Sequence, residues 1–276
     1  MNIMMKLKNF TYLYKTEGLG FTLRNVAYRL KYKRSTDFKI EQRRLQIASR
    51  LEREFNSTIA YGPFRGLRLR PDNWWGIDRS GKLLGLYEHE ILQSLVSIRK
   101  DYRTFVDLGA ADGYYGIGVL VSNLFDHSIC FEQSKKGREV IRRAAALNGV
   151  SDKIEIHGTA DANFFDLMPS EARSRSVILI DIEGGEFDLL SPGVLSTLRG
   201  CIIFLELHPR SFEDGEEKLS KLRDTASEHF RITEITTGPR DPSQFRELEE
   251  FTDTDRWLVC SEGRPFLMHW WKLEPK

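Results

Sequence analysis

The chain reads as two stretches with different periodicities. In residues 1–55, Leu19, Leu23, Val26, Ala27 and Leu30 recur at three- and four-residue steps with Arg and Lys between them, which predicts amphipathic helix and no strand. From 59 to 69 the pattern turns β-like around Gly62-Pro63 and Gly66, predicting a short hairpin. Residues 71–82 read as a loop carrying Trp74 and Trp75, and a helix follows with Leu86, Glu90, Ile91, Leu95 and Ile98 on one face. After Lys100, short apolar runs alternate with longer helical patterns. The strand-like runs are 104–108, 128–132, 153–157, 176–181, 201–207 and 230–235; residues 134–148 and 184–190 carry helical patterns between them. This alternation predicts an α/β fold, a mostly parallel sheet covered on both faces, with its ligand beyond the carboxyl ends of the strands where strand order reverses. In the tail, 257–260 fits a late strand and 266–271 an aromatic packing segment.

Charge sharpens the division. The 41 Lys and Arg nearly cancel the 40 Asp and Glu, yet residues 1–53 hold a net charge of +9 and the remainder −8. We therefore read 1–58 as a basic helical extension with an anionic partner in prospect, and 59–276 as the α/β domain. Within it, 59–100 forms the hairpin, loop and leading helix, 101–262 the core, and 263–276 an aromatic tail. No apolar run approaches the ~18 residues of a membrane span, and Lys6 and Lys8 interrupt the start before a signal-peptide core forms. Cys130, Cys201 and Cys260 stand far apart inside apolar runs. They read as buried thiols of a reducing compartment, with neither disulfide nor zinc spacing, so the expectation is a cytoplasmic protein.

The chemistry gathers at strand ends. The first strand runs into Asp107-Leu108-Gly109-Ala110-Ala111-Asp112-Gly113-Tyr114-Tyr115 and then a helical run. Glycines there allow close backbone approach, and the helix N-terminus offers N–H groups to an anion, either a dinucleotide pyrophosphate or the carboxylate of S-adenosylmethionine. Ala111 stands where the dinucleotide fingerprint needs its second glycine, and Asp107 suits an ammonium rather than a pyrophosphate. Glu132 ends the next strand about 20 residues on, the place of a ribose-binding acid. The third strand exits at His157-Gly158-Thr159-Ala160-Asp161, within reach of an adenine. The fourth supplies Asp181, Glu183 and Glu186, and the fifth Glu206 and His208, which suit a general base or a cation cradle.

At these residues the sequence resembles the FkbM-like family of class I S-adenosylmethionine-dependent methyltransferases. The resemblance rests on LLGLYEHEI (83–91), FVDLGAADGYYGIG (105–118), VILIDIEGGEFDLL (177–190) and IIFLELHP (202–209). It departs mildly at Gly184-Gly185, where the family usually has one glycine followed by alanine. The resemblance implies a Rossmann-like, mostly parallel seven-stranded sheet with helices on both faces. It implies that Asp107, Gly109 and Gly113 lie at the methionine end, Glu132 at the ribose, Asp161 near the adenine and Asp181 near the sulfonium. Ala110, Asp112, Tyr114, Gln133 and Ala160 complete the implied cofactor set, and Tyr87 and Glu88 match a Tyr-Glu element that closes over the cofactor.

The function expected is transfer of a methyl group to a hydroxyl of a sugar, glycan or natural product. His208 or Asp181 is the expected base, oriented by Glu183 and Glu206, and S-adenosylhomocysteine the product. A magnesium ion on Asp181, Glu183 and Glu206 is the lesser variant. The competing readings are a nicotinamide-dependent oxidoreductase, a binding module on an inactive methyltransferase fold, and an RNA or protein methyltransferase using the basic N-terminus. Nucleic-acid methylation is disfavoured, because Asp181-Ile182-Glu183-Gly184 differs from the Asp/Asn-Pro-Pro-aromatic pattern. The basic extension and Trp74-Trp75 read either as a solvated face and core, or as a lid or dock for an anionic acceptor: a phosphorylated or lipid-linked glycan, or an acidic membrane face.

Overall fold

The computed structural model describes residues 36–71, 78–98, 101–264 and 266–276. The N-terminal leucine pattern and Trp74-Trp75 lie outside the described residues. The chain divides into two compact units, Met1–Ser49 and Arg50–Lys276. Helix α1 (Thr36–Glu54) begins in the first; everything below belongs to the second.

The elements of the second unit follow in order: α2 (Arg79–Leu83), α3 (His89–Val96), β1 (Thr104–Leu108), α4 (Tyr114–Val121), β2 (His127–Phe131), α5 (Lys135–Leu147) and β3 (Ile154–His157). Then come α6 (Ser170–Ser174), β4 (Ser176–Ile180), α7 (Glu186–Leu189), α8 (Pro192–Thr197), β5 (Ile202–Glu206) and α9 (Gly215–Ser227). The chain closes with β6 (Phe230–Thr236), α10 (Asp253–Cys260) and β7 (His269–Pro275). The seven strands form one sheet in the order β3-β2-β1-β4-β5-β7-β6.

The first five strands are parallel, and they are parallel because each apolar run is separated from the next by a crossover long enough to cover a face. Strands β4 and β5 are buried at every position, so their sequences, SVILI and IIFLE, read as continuous apolar runs without alternation. The order 3-2-1-4-5 is that of a Rossmann-like doubly wound sheet, with its switch point between β1 and β4. Strand β7 enters antiparallel between β5 and β6, setting Glu206 opposite Trp270 and Ile235 opposite the same tryptophan. Val106, Ile129, Ile178, Ile203 and Trp271 fuse one face of the sheet into a single apolar core. Cys130, Cys201 and Cys260 are free and buried.

The tail differs from expectation. Residues 257–260 form the end of α10 rather than a strand, because Thr252 accepts the Asp255 N–H (3.3 Å) and Asp253 and Asp255 favour the first turn. That local cap outweighs the β-propensity of Trp-Leu-Val-Cys. The last strand instead starts at His269, so 266–271 divides: Trp270 and Trp271 are buried, Phe266 and Leu267 exposed. The 59–69 hairpin reduces to one antiparallel bridge, Thr58 with Arg68, around a compact turn. The expected helix over 184–190 is a single turn, α7, and α2 occupies the end of the expected 71–82 loop. Among the described residues no helix is long and apolar enough to cross a membrane.

Candidate active site

At the carboxyl edge of the sheet, across the switch point, lies a cavity of about 1220 Å³. Every residue expected to bind a cofactor or to act as a base lines it except Gly113, which turns the chain into α4 with φ +81°. Gly109 shows why the loop after β1 needs glycine. With φ +91°, a Cβ there would stand 1.8 Å from the carbonyl oxygen of Asp181, so β1 and β4 touch backbone to backbone at the cavity floor. Three non-glycine wall residues, Glu88, Ala111 and Glu183, also hold left-handed φ values of 47°, 49° and 55°. Such backbone costs of order 1 kcal/mol or more each and concentrates where a loop must present groups to a ligand.

On the β1 side, short-range backbone amides organise the carboxylates. Asp107 is 2% exposed and accepts the Gly116 N–H (3.1 Å). Asp112 accepts the Tyr114 N–H (3.1 Å). The two acids thus take two of the helix N-terminal amides that the sequence offers to an anion. Glu132 bridges two loops, accepting Ala111 N–H (3.0 Å) and Ser134 N–H (2.6 Å). Burial pushes the Asp107 carboxyl up to about 8 against the opposing Gly116 bond, and the charges of Asp181, Asp112 and Glu132 add to the rise. This is a buried acid short of a cation. Asp161 accepts the Asn163 N–H (2.8 Å) and lines the cavity, as do Ala160 and Gln133.

On the β4–β5 side, side chains from distant segments do the organising. Glu186 is fully buried; its Oε1 accepts the backbone N–H of His208 (2.8 Å) and faces Nδ1 of the same ring (3.3 Å). Its Oε2 accepts Gly184 N–H (2.8 Å). Nε2 of His208 therefore points into the cavity, 3.7 Å from Asp181 Oδ1 and 3.8 Å from Glu183 Oε2. That Asp181 oxygen is buried without a hydrogen-bond partner among the described residues. Burial works against protonation of His208, but the Glu186 bond and the charges of Glu186, Asp181 and Glu183 prevail, so its pKa is raised. Burial raises Asp181, while burial and the charges of Asp181 and Glu88 push Glu206 up to about 10, so that the pair keeps a proton at neutral pH.

Arg264 joins the two sides. Its guanidinium donates to Glu206 (2.6 Å), Glu262 (3.1 Å) and Glu88, and its Nη2 lies 3.4 Å from the Tyr87 hydroxyl. Glu88 also accepts the Tyr115 hydroxyl (2.5 Å), yet burial lifts it to about 7 despite both partners. Arg240 anchors this arrangement from below, donating to Glu90 (2.5 and 2.8 Å), Glu262 (3.0 Å) and the Leu86 carbonyl (2.9 Å). Sequence reasoning missed Arg264 and Arg240, which carry no local signal, and Lys82, a lone cation in the apolar run before Tyr87. It quoted Glu186 but placed the orienting acids at Glu183 and Glu206. Glu183 is in fact 87% exposed, and Glu186 makes the bond to the ring.

No family model and no curated protein sequence matches this chain. Among solved structures it is similar to the Streptococcus pneumoniae protein Sp1610 in complex with S-adenosyl-L-methionine, at 17% identity over 67% of this chain and 72% of that one, TM-score 0.44. It is also similar to precorrin-6y C5,15-methyltransferase from Geobacter metallireducens GS-15 (12%, 68% and 87%, 0.43) and to the m1A22 tRNA methyltransferase TrmK of B. subtilis (13%, 67% and 64%, 0.41). With TM-scores below 0.5, these likenesses leave the chemistry to be read from the site itself.

Proposed function

We propose that the chain is an S-adenosylmethionine-dependent methyltransferase acting on a hydroxyl oxygen of a small molecule or glycan. The observation that carries the reading is the acidity of the cavity wall: among the described residues twelve Asp and Glu line it against Lys82, Arg210 and Arg264, an excess that survives the protons held at Asp107 and the Asp181–Glu206 pair. Such a wall suits a ligand bearing a sulfonium and an ammonium, and repels the pyrophosphate of a nicotinamide dinucleotide. The occupied amides at the start of α4 work against a pyrophosphate as well. The same wall favours a neutral or cationic acceptor over the phosphorylated one that the basic extension suggests.

The residues fit that cofactor. Asp107, buried and short of a cation, suits the ammonium; Glu132 keeps carboxylate lone pairs for ribose hydroxyls; Asp161 stands where the adenine edge would come. When bound, S-adenosylmethionine supplies an electrophilic methyl group on a positively charged sulfur. His208 acts as general base: Glu186 fixes the Nδ1–H tautomer, which leaves Nε2 as the proton acceptor. The unpartnered Asp181 oxygen beside Nε2 orients the incoming hydroxyl.

The ligand atoms of Asp181, Glu206 and His208 lie within 4.8 Å of one another, which would admit a divalent ion. Arg264 already supplies the counter-charge at Glu206, so the metal-free base is the preferred reading. Calorimetric titration tests the proposal directly. S-adenosylhomocysteine should bind at micromolar concentration and NAD should not; NAD binding with no heat from S-adenosylhomocysteine overturns it.

A further inference from the structure

Two of the amides at the α4 N-terminus are taken by the protein's own acids, Tyr114 N–H by Asp112 and Gly116 N–H by Asp107. A carboxylate arriving at this end of the cavity meets a loop lined with acids and needs a positive charge beside it. Of the three basic side chains on the wall among the described residues, Arg264 is spent on Glu88, Glu206 and Glu262, and Arg210 lies over the Phe266 ring at 4.3 Å, beyond the end of β5. Lys82 remains, and it stands beside the loop after β1.

Lys82 is an unusual lysine. It is 7% exposed, although an ammonium is almost never buried without a purpose. Its Nζ lies 3.3 Å from Asp112 Oδ2. It also sits 4.9 Å and 4.7 Å above the rings of Tyr87 and Tyr114, which meet edge to face at 5.4 Å. Asp112 accepts one of three ammonium protons, the ring faces stabilise the charge without consuming donors, and the cavity receives the rest. Lys82 itself lies in the helical turn α2, and the left-handed Glu88 follows six residues on.

We infer that Lys82 is the carboxylate-recognition residue of the cofactor site, so that an α-amino acid ligand is read as a zwitterion: its carboxylate by Lys82 and its ammonium by Asp107. The assignment rests on the proposed methyltransferase reading and extends it. It implies that the pocket selects ligands carrying a free amino acid end over nucleosides that share only the adenosyl part.

The test compares three ligands on the intact protein by calorimetry: S-adenosylhomocysteine, its carboxyl methyl ester, and 5′-methylthioadenosine, which lacks the amino acid end. Wild-type protein should prefer S-adenosylhomocysteine to its ester by about tenfold or more, the range of one charge-assisted hydrogen bond. K82M should abolish that preference and leave 5′-methylthioadenosine binding within about twofold, while K82R should restore part of it. Equal affinity of wild-type protein for the acid and the ester overturns the assignment, whatever the variants do. So does an undiminished preference in folded K82M. If wild-type protein binds none of the three, the methyltransferase reading itself has failed, and the Lys82 assignment falls with it.

Discussion

The two sides of the cavity hold their carboxylates by different means. Around β1 the partners are mostly backbone amides, two to nine residues away for Asp107 and Asp112 and on both flanking loops for Glu132, with the Lys82 ammonium beside Asp112 as the side-chain exception. Around β4 and β5, beside the two backbone amides that Glu186 accepts, side chains are brought from far along the chain: Glu186 to the His208 ring over 22 residues, Arg264 to Glu206 over 58 and to Glu88 over 176. Backbone amides keep their place whatever ligand comes, which suits recognition of one constant molecule. Side-chain partners hold protons and can exchange them, which suits a site where a proton must leave. The contrast suggests a division of labour: the β1 side binds, the β4–β5 side reacts.

Three experiments bear on that division. The largest effect is expected at His208. H208A should lower kcat by roughly 10²–10⁴-fold, the worth of a positioned base, while S-adenosylhomocysteine affinity stays within about twofold. A matching collapse of cofactor affinity would erase the distinction between the sides.

A smaller loss is expected from E186Q, roughly tenfold or more in kcat, since the ring loses its fixed tautomer. Its sharper readout is the pH profile. His208 must be neutral to accept a proton, and its raised pKa sets the acid limb of kcat above 6.5. Removing the Glu186 charge should move that limb to lower pH; a limb that stays in place separates Glu186 from the base.

The smallest signal belongs to the β1 side. Burial lifts Asp107 to about 8, so at pH 7 it is largely protonated before a ligand arrives. An ammonium beside it favours the ionised form, so binding should release up to about one proton below that pH, and affinity should fall as pH falls. Titrations of S-adenosylhomocysteine in phosphate and Tris at pH 7 should differ in enthalpy accordingly. D107N should remove the difference, and a difference that persists would place the ammonium elsewhere.

The same contrast explains what was legible in the sequence. The α/β sheet was readable because parallel strands buried on both faces must be continuous apolar runs, and the loop after β1 because its glycines, acids and helix start are contiguous. The place of Glu132 on the cavity wall followed from spacing alone. Lys82 and Arg264 could not be read this way. Each matters through partners that only the fold brings near, and a single basic residue in an apolar or coil stretch has the same appearance as a surface one. The strand at 269–275 was displaced in expectation for a related reason: Trp257-Leu258-Val259-Cys260 has the composition of a strand, and only its cap at Thr252 decides for helix.

The antiparallel insertion of β7 has a consequence for synthesis. As the chain leaves the ribosome, β1 to β5 can assemble as soon as they emerge, but β6 has no neighbour in the sheet until β7 arrives to separate it from β5. Until then the apolar β5 presents an open edge, the arrangement most prone to pairing with another nascent chain. Arg264, which ties Glu88 to Glu206, is made in the same late interval. Closing the vulnerable edge and completing the reactive side of the cavity are thus one event in the life of the nascent protein.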